Sequence, residues 1–71
     1  MESFQLRAGE EFIRLGQVLK AVGMAESGSD AKEAILNGEV YVNGEQETRR
    51  GRKLYNGDSV AYGGREIRIT V

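Results

Sequence analysis

Cysteine, histidine, proline and tryptophan are all missing from this 71-residue chain, and each absence removes a class of function. Without Cys or His, the usual zinc sets and the Cys–His and Ser–His nucleophile systems cannot be assembled. General acid–base chemistry is left to Asp, Glu, Lys and Tyr. A chain without cysteine has no disulfide framework, which suits a reducing compartment. No apolar run approaches the roughly 20 residues of a membrane span. Met1 to Arg7 also lacks the basic-then-apolar order of a signal peptide, so the expected location is cytoplasmic. The length sets one domain, residues 1–71, in which folding buries only about 60% of the surface exposed by the unfolded chain. A core that thin leaves little room for a deep pocket. The expectation is a non-catalytic binding surface, with no cofactor, metal or small-molecule substrate.

Ten basic and eleven acidic residues give a net charge of −1, a figure that by itself points to no polyanionic partner. Distribution says more than the sum, because a phosphate chain responds to the local field. Arg49-Arg50-Gly51-Arg52-Lys53 places four cations in five positions with no acid among them. The acids lie elsewhere, among them Glu10, Glu11, Glu26, Asp30, Glu33, Glu39, Glu45, Glu47 and Asp58.

Hydrophobic periodicity divides the chain. Phe4 and Leu6 alternate with polar neighbours, as in a short edge strand, and Ala8 to Glu11 reads as a turn. From Arg14 the pattern is helical. Leu15, Val18, Leu19 and Val22 form one stripe of an amphipathic helix, closed by Gly23. A second helix is expected to begin near Ser29, with Ser29 and Asp30 supplying a capping oxygen and a first-turn carboxylate. Ala31, Ala34 and Ile35 form its buried stripe, and Asn37-Gly38 stops it. Thereafter the period is two. Val40 and Val42 face one way and Tyr41 the other, before the hairpin dipeptide Asn43-Gly44. Glu45 to Thr48 reads as a polar edge. Asn56-Gly57-Asp58 makes another turn, and Val60 to Tyr62 and Ile67 to Val71 form a hairpin around Gly63-Gly64. The fold class is α+β, with two short helices packed on one face of a small antiparallel sheet of about four to five strands.

Clustered Arg and Lys on an ordered turn suit phosphate recognition. Arginine offers a planar fork of donors that matches phosphate oxygens in pairs, and lysine adds a mobile point charge. Four like charges in one turn also repel by tenths of a kcal/mol per pair, which a purely structural turn has no reason to bear. Arg14 and Lys20 flank Gln17 outside the apolar stripe of the first helix, and Lys32 lies early in the second. Lys20 or Lys32 alone would be an ordinary solvated lysine.

Arg14-Leu15-Gly16-Gln17-Val18-Leu19-Lys20, Ala25 to Lys32, Ile35, Gly38, Val40-Tyr41-Val42-Asn43-Gly44 and Gly57-Asp58 together resemble the S-four RNA-binding domain, or αL motif, over about positions 14 to 62. Members commonly carry Asp and Lys where this chain has Gly16 and Gln17, and Arg where it has Gly28. The usual cationic helical face is therefore thinned, and the run from Arg49 to Leu54 looks like compensation. In that run, in Gln17 and in the Ser-Gly start of the second helix, the chain is similar to the small stand-alone bacterial YaaA and YbcJ group. The resemblance implies RNA binding as the entire activity, with a ribosome-associated role in translation. Its phosphate contacts would be Lys20, Lys32, Arg49, Arg50, Arg52 and Lys53, with Arg14 either a further contact or a structural arginine paired with an acid. The expected partner is structured RNA, with ribosomal RNA the candidate that the family suggests, bound by a monomer without a membrane.

Tyr41 and Tyr55 could each stack on a base or simply cap the core. Two rival classes remain. A β-grasp sulfur carrier shares the Val-x-Val-Asn-Gly hairpin, but acts through a C-terminal Gly-Gly, whereas seven residues follow Gly64 here. An adaptor could dock an acidic protein on the basic turn, since a cationic turn does not distinguish carboxylates from phosphates.

Overall fold

The two apolar stripes lie against the sheet where their spacing directs them. The computed structural model describes residues 2–71. In chain order the elements are β1 (Glu2–Gln5), β2 (Phe12–Arg14), α1 (Leu15–Ala21), α2 (Gly28–Leu36), β3 (Tyr41–Val42), β4 (Glu45–Gln46), β5 (Lys53–Tyr55), β6 (Ser59–Tyr62) and β7 (Arg65–Thr70). Leu15, Val18 and Leu19 of α1 and Ala31, Ala34 and Ile35 of α2 are buried, and they join Val40, Val42, Leu54, Val60 and Ile69 in one core. Gly23 and Gly38 both adopt positive φ just beyond the helices, the backbone state that ends a helix and that side chains resist.

Five strands form a sheet in the order β1-β7-β6-β3-β4, and β2 and β5 form a separate two-stranded ribbon. Two expectations change. The main sheet is mixed, because β1 runs parallel to β7, with Phe4 opposite Ile69. A parallel neighbour needs a long crossover, and here the whole intervening chain provides it. The second helix starts earlier than Ser29: Ser27 is its N-cap, and its Oγ accepts from the Asp30 N–H at 3.1 Å. A hydroxyl reaches the amide three positions ahead, so the first serine of Ser27-Gly28-Ser29-Asp30 takes the role. Asp30 remains in the first turn. The ribbon itself was not legible. Phe12 to Arg14 is three residues long, and its partner lies some forty positions away.

The hairpin expectations are met. Val40 and Val42 are buried and Tyr41 is exposed, while Asn43 and Gly44 have φ of 53° and 83°. Asn43 also joins the hairpin to the next turn. Its Nδ2 donates to Asp58 Oδ1 at 3.1 Å, and its Oδ1 accepts from the Ser59 N–H at 2.9 Å. Asn43→Ala should therefore lower stability by about 1–3 kcal/mol, through two lost hydrogen bonds and a strained positive φ. Asn43→Gly should lose less, since it relieves the strain. Urea denaturation of the two variants checks the order.

Candidate nucleic-acid interface

Helix α1 begins without a capping side-chain oxygen, because a cation, Arg14, occupies its N-cap. Two of its first amides, which a helix leaves without internal partners, find them in the arginine-rich turn. Leu15 N–H donates to the Arg52 carbonyl at 2.9 Å, and Gly16 N–H donates to the Arg50 carbonyl at 3.0 Å. The Arg14 N–H is met by Gln17 Oε1 at 3.3 Å. Arg14 Nη1 reaches back to the Gly51 carbonyl at 2.9 Å. Four contacts on the backbone thus set the start of α1 and fix the turn from Arg49 to Arg52 against it.

The course of the Arg50 side chain, by contrast, depends on Gly16. A Cβ built at Gly16 would lie 2.8 Å from Arg50 Cγ, so the Arg50 stem crosses α1 where residue 16 has no side chain. The glycine and the added arginine are two halves of one arrangement. Arg14, Gly16, Gln17, Lys20, Gly28, Ala31, Arg50 and Gly51 line a groove of about 370 Å³. Glycine and alanine form much of its floor, and three cations border it. A shallower concavity continues from it past Arg14, Gly51 and Lys53. Among the described residues, no acidic side chain pairs with Arg14, Lys20, Arg50 or Lys53. Arg14 is therefore not held by an acid; it rests on a carbonyl and over the Phe12 ring, 5.5 Å from the centroid.

The other sequence candidates are placed differently. Glu47 does not lie away from the basic cluster, as its position in the chain suggests. Its N–H donates to the Val40 carbonyl, which turns the side chain inward to 5% exposure. There its carboxylate accepts from Arg49 Nε at 3.0 Å and Arg52 Nη1 at 2.8 Å. The hydrogen bonds from Arg49 and then Arg52 hold the Glu47 carboxyl down at about 2, against the 4.5 of a free glutamate. Arg49 and Arg52 thus have a structural task that relieves the repulsion in the turn, and Arg49 still remains 74% exposed. Lys32 does not line the groove. It stands one turn beyond Gly28, over a recess shared with Ser29, Leu36 and Asn37. Helix α2 separates two electrostatic environments, presenting Gly28 and Ala31 to the basic groove and Asp30 and Glu33 to another recess with Glu26 and Glu39.

Sequence reasoning missed Phe12. It is the cross-strand partner of Tyr55, with ring centroids 5.9 Å apart, and Lys53 Nζ lies 4.9 Å from its centroid. Only the non-local β2–β5 pairing reveals the group. Tyr55 is 46% exposed beside it, and Tyr41, also exposed, does not line the groove.

This is the architecture of a known family. Residues 4–70 match the S4 domain, and the chain belongs to that family. Over 50 residues, 70% of each chain, it is 52% identical to a Bacillus subtilis protein named "Probable ribosome maturation protein RlbA". Over 57 residues, 80% of this chain and 81% of the relative, it is 39% identical to the Escherichia coli "Putative RNA-binding protein YbcJ". The solution structure of YbcJ, described as revealing an αL motif involved in RNA binding, matches with a TM-score of 0.73 at 35% identity. That match covers 100% of this chain and 89% of the other.

Two outcomes follow from the geometry. The Glu47 carboxyl is more acidic in the folded state, so its contribution is complete above about pH 4.5 and disappears as pH falls through about 2. Because its arginine partners face solvent, that contribution is of order 1–2 kcal/mol. Glu47→Gln should lower stability by about that amount at neutral pH and flatten the acid limb of a stability-versus-pH curve. Gly16→Ala should leave stability within about 1 kcal/mol, since alanine favours helix, while displacing Arg50. An altered Arg50 side-chain NMR signal with an unchanged unfolding midpoint is the expected result.

Proposed function

We propose that this protein is a non-catalytic RNA-binding protein that grips the phosphate backbone of structured RNA in the groove between α1, the start of α2 and the arginine-rich turn. The observation that carries the proposal is Arg50 lying across Gly16, beside Lys20 and Arg14, with no carboxylate to neutralise any of the three. Guanidinium groups present paired donors to phosphate oxygens, and Lys20 adds a mobile charge. Gly28, where a Cβ would meet nothing within 4 Å, leaves room for a sugar–phosphate chain to approach the start of α2 closely. Lys53 extends the same field along the ribbon, Arg49 and Arg52 border it beside Lys53, and Lys32 stands apart over its own recess.

The name of the Bacillus subtilis relative, a probable ribosome maturation protein, supports ribosomal RNA or a ribosome-assembly intermediate as the target; binding in the cytoplasm by a monomer is part of the same proposal. Among the described residues, no helix is long and apolar enough to cross a membrane. The net charge of −1 is no obstacle, because Glu26, Asp30, Glu33 and Glu39 gather around a different recess and counterion release depends on local phosphate contacts.

Four phosphate contacts by Arg14, Lys20, Arg50 and Lys53 should give a log–log salt slope of roughly −3 to −3.5 for a structured RNA. Replacing Lys20 and Arg50 together with alanine should make that slope shallower by about 1.5 to 2 and leave the unfolding midpoint in place. Equal binding to an unrelated acidic protein, with indifference to RNA at low salt, would favour the adaptor role instead.

A further inference from the structure

The β2–β5 ribbon has two unlike faces, and the outer one is not explained by the phosphate groove. Ile13 and Leu54 are opposite each other in register, and Leu54 is fully buried. Successive side chains of a strand point to opposite faces. Phe12, Arg14, Lys53 and Tyr55 therefore share the outward face, as two cross-strand pairs, Phe12 with Tyr55 and Arg14 with Lys53.

The four side chains are not equivalent. Arg14 and Lys53 lie over the Phe12 ring at 5.5 Å and 4.9 Å from its centroid, within the range of cation–π attraction. Phe12 thus holds the two cations in place and is only half-buried. Tyr55 packs against Phe12 in a tilted arrangement, with 52° between the ring planes, and remains 46% exposed. Its backbone is fixed by Asp58, whose Oδ2 accepts from the Tyr55 N–H at 2.7 Å. A core-capping tyrosine does not need two cations held alongside it. Arg14 belongs both to this face and to the groove, so the aromatic site directly adjoins the backbone-gripping cations.

We infer that the outer face of the β2–β5 ribbon is a stacking site for one unpaired nucleobase, received on Tyr55, with the flanking phosphates held by Lys53 and Arg14. This rests on the reading of the groove as a phosphate site and sharpens it: the preferred RNA carries a bulged or loop nucleotide next to the gripped backbone, and is not a uniform duplex. Bases stack on an exposed ring whatever their identity, so the site selects for an unpaired nucleotide and not for a sequence.

The test compares two blunt-ended RNA duplexes without loops, which differ by a single bulged nucleotide in an otherwise perfect stem, each titrated against the full chain at low salt. The bulged RNA should bind about tenfold more tightly. Tyr55→Leu should remove that preference while leaving affinity for the perfect stem and its salt slope unchanged. Tyr55→Phe should restore the preference, because a phenyl ring keeps the stacking face. With 2-aminopurine at the bulge, fluorescence should be quenched by the parent chain and not by Tyr55→Leu. Equal binding of both duplexes by the parent chain, or an equal loss on both in Tyr55→Leu, would overturn the stacking site and leave the phosphate groove standing. No binding to either duplex would overturn both.

Discussion

The two backbone hydrogen bonds from the first amides of α1 to the Arg52 and Arg50 carbonyls are the constraint on which the functional surface depends. A helix start needs acceptors, and in this chain the arginine-rich turn supplies them through its main chain. The register of the turn is therefore set by peptide groups, which leaves the Arg50 side chain without a structural hydrogen bond to make. Because amide and carbonyl positions fix Arg50 opposite Gly16, the Arg50 stem can cross the helix only where a Cβ is absent. Positive charge from segments more than thirty residues apart then meets in one groove.

Holding cations together has an electrostatic cost, and Glu47 offsets it. Its carboxylate is drawn beneath the turn by the hydrogen bond of its own amide to Val40, and it accepts from both Arg49 and Arg52. The four cations of the turn thus divide. Two stabilise the loop against their own repulsion, while Arg50 and Lys53 stay without an acidic partner among the described residues. This division keeps a dense positive surface compatible with a small domain whose core is a single layer. Segregation does the rest, since α2 shows small residues to the groove and acids to the other side.

Much of this was legible in the sequence, for reasons that differ between elements. The stripe of Leu15, Val18 and Leu19, the Ala31–Ala34–Ile35 face and the Asn43-Gly44 turn are local patterns, and local patterns suffice where packing and backbone sterics agree. The family resemblance was legible from spaced motifs, and the S4-domain match bears it out. What stayed hidden is non-local. The β2–β5 ribbon depends on a pairing across about forty residues, so Phe12 gave no sign of joining Tyr55. The inward turn of Glu47 reverses the apparent separation of acids from the basic run, and no periodicity in a short polar edge announces it. Gly16 was visible as a departure from the usual pattern, but its meaning needed the position of Arg50.

A single titration reaches the central claim, that the start of α1 and the arginine-rich turn act as one surface. Amide chemical shifts would be followed while a structured RNA is added at low salt. Gly16, Gln17, Lys20, Gly28, Arg50 and Gly51 should move together and saturate at one common midpoint, while Glu26, Asp30, Glu33 and Glu39 stay in place. Shifts concentrated around those acids, or a turn and helix that respond with different midpoints, would contradict the account.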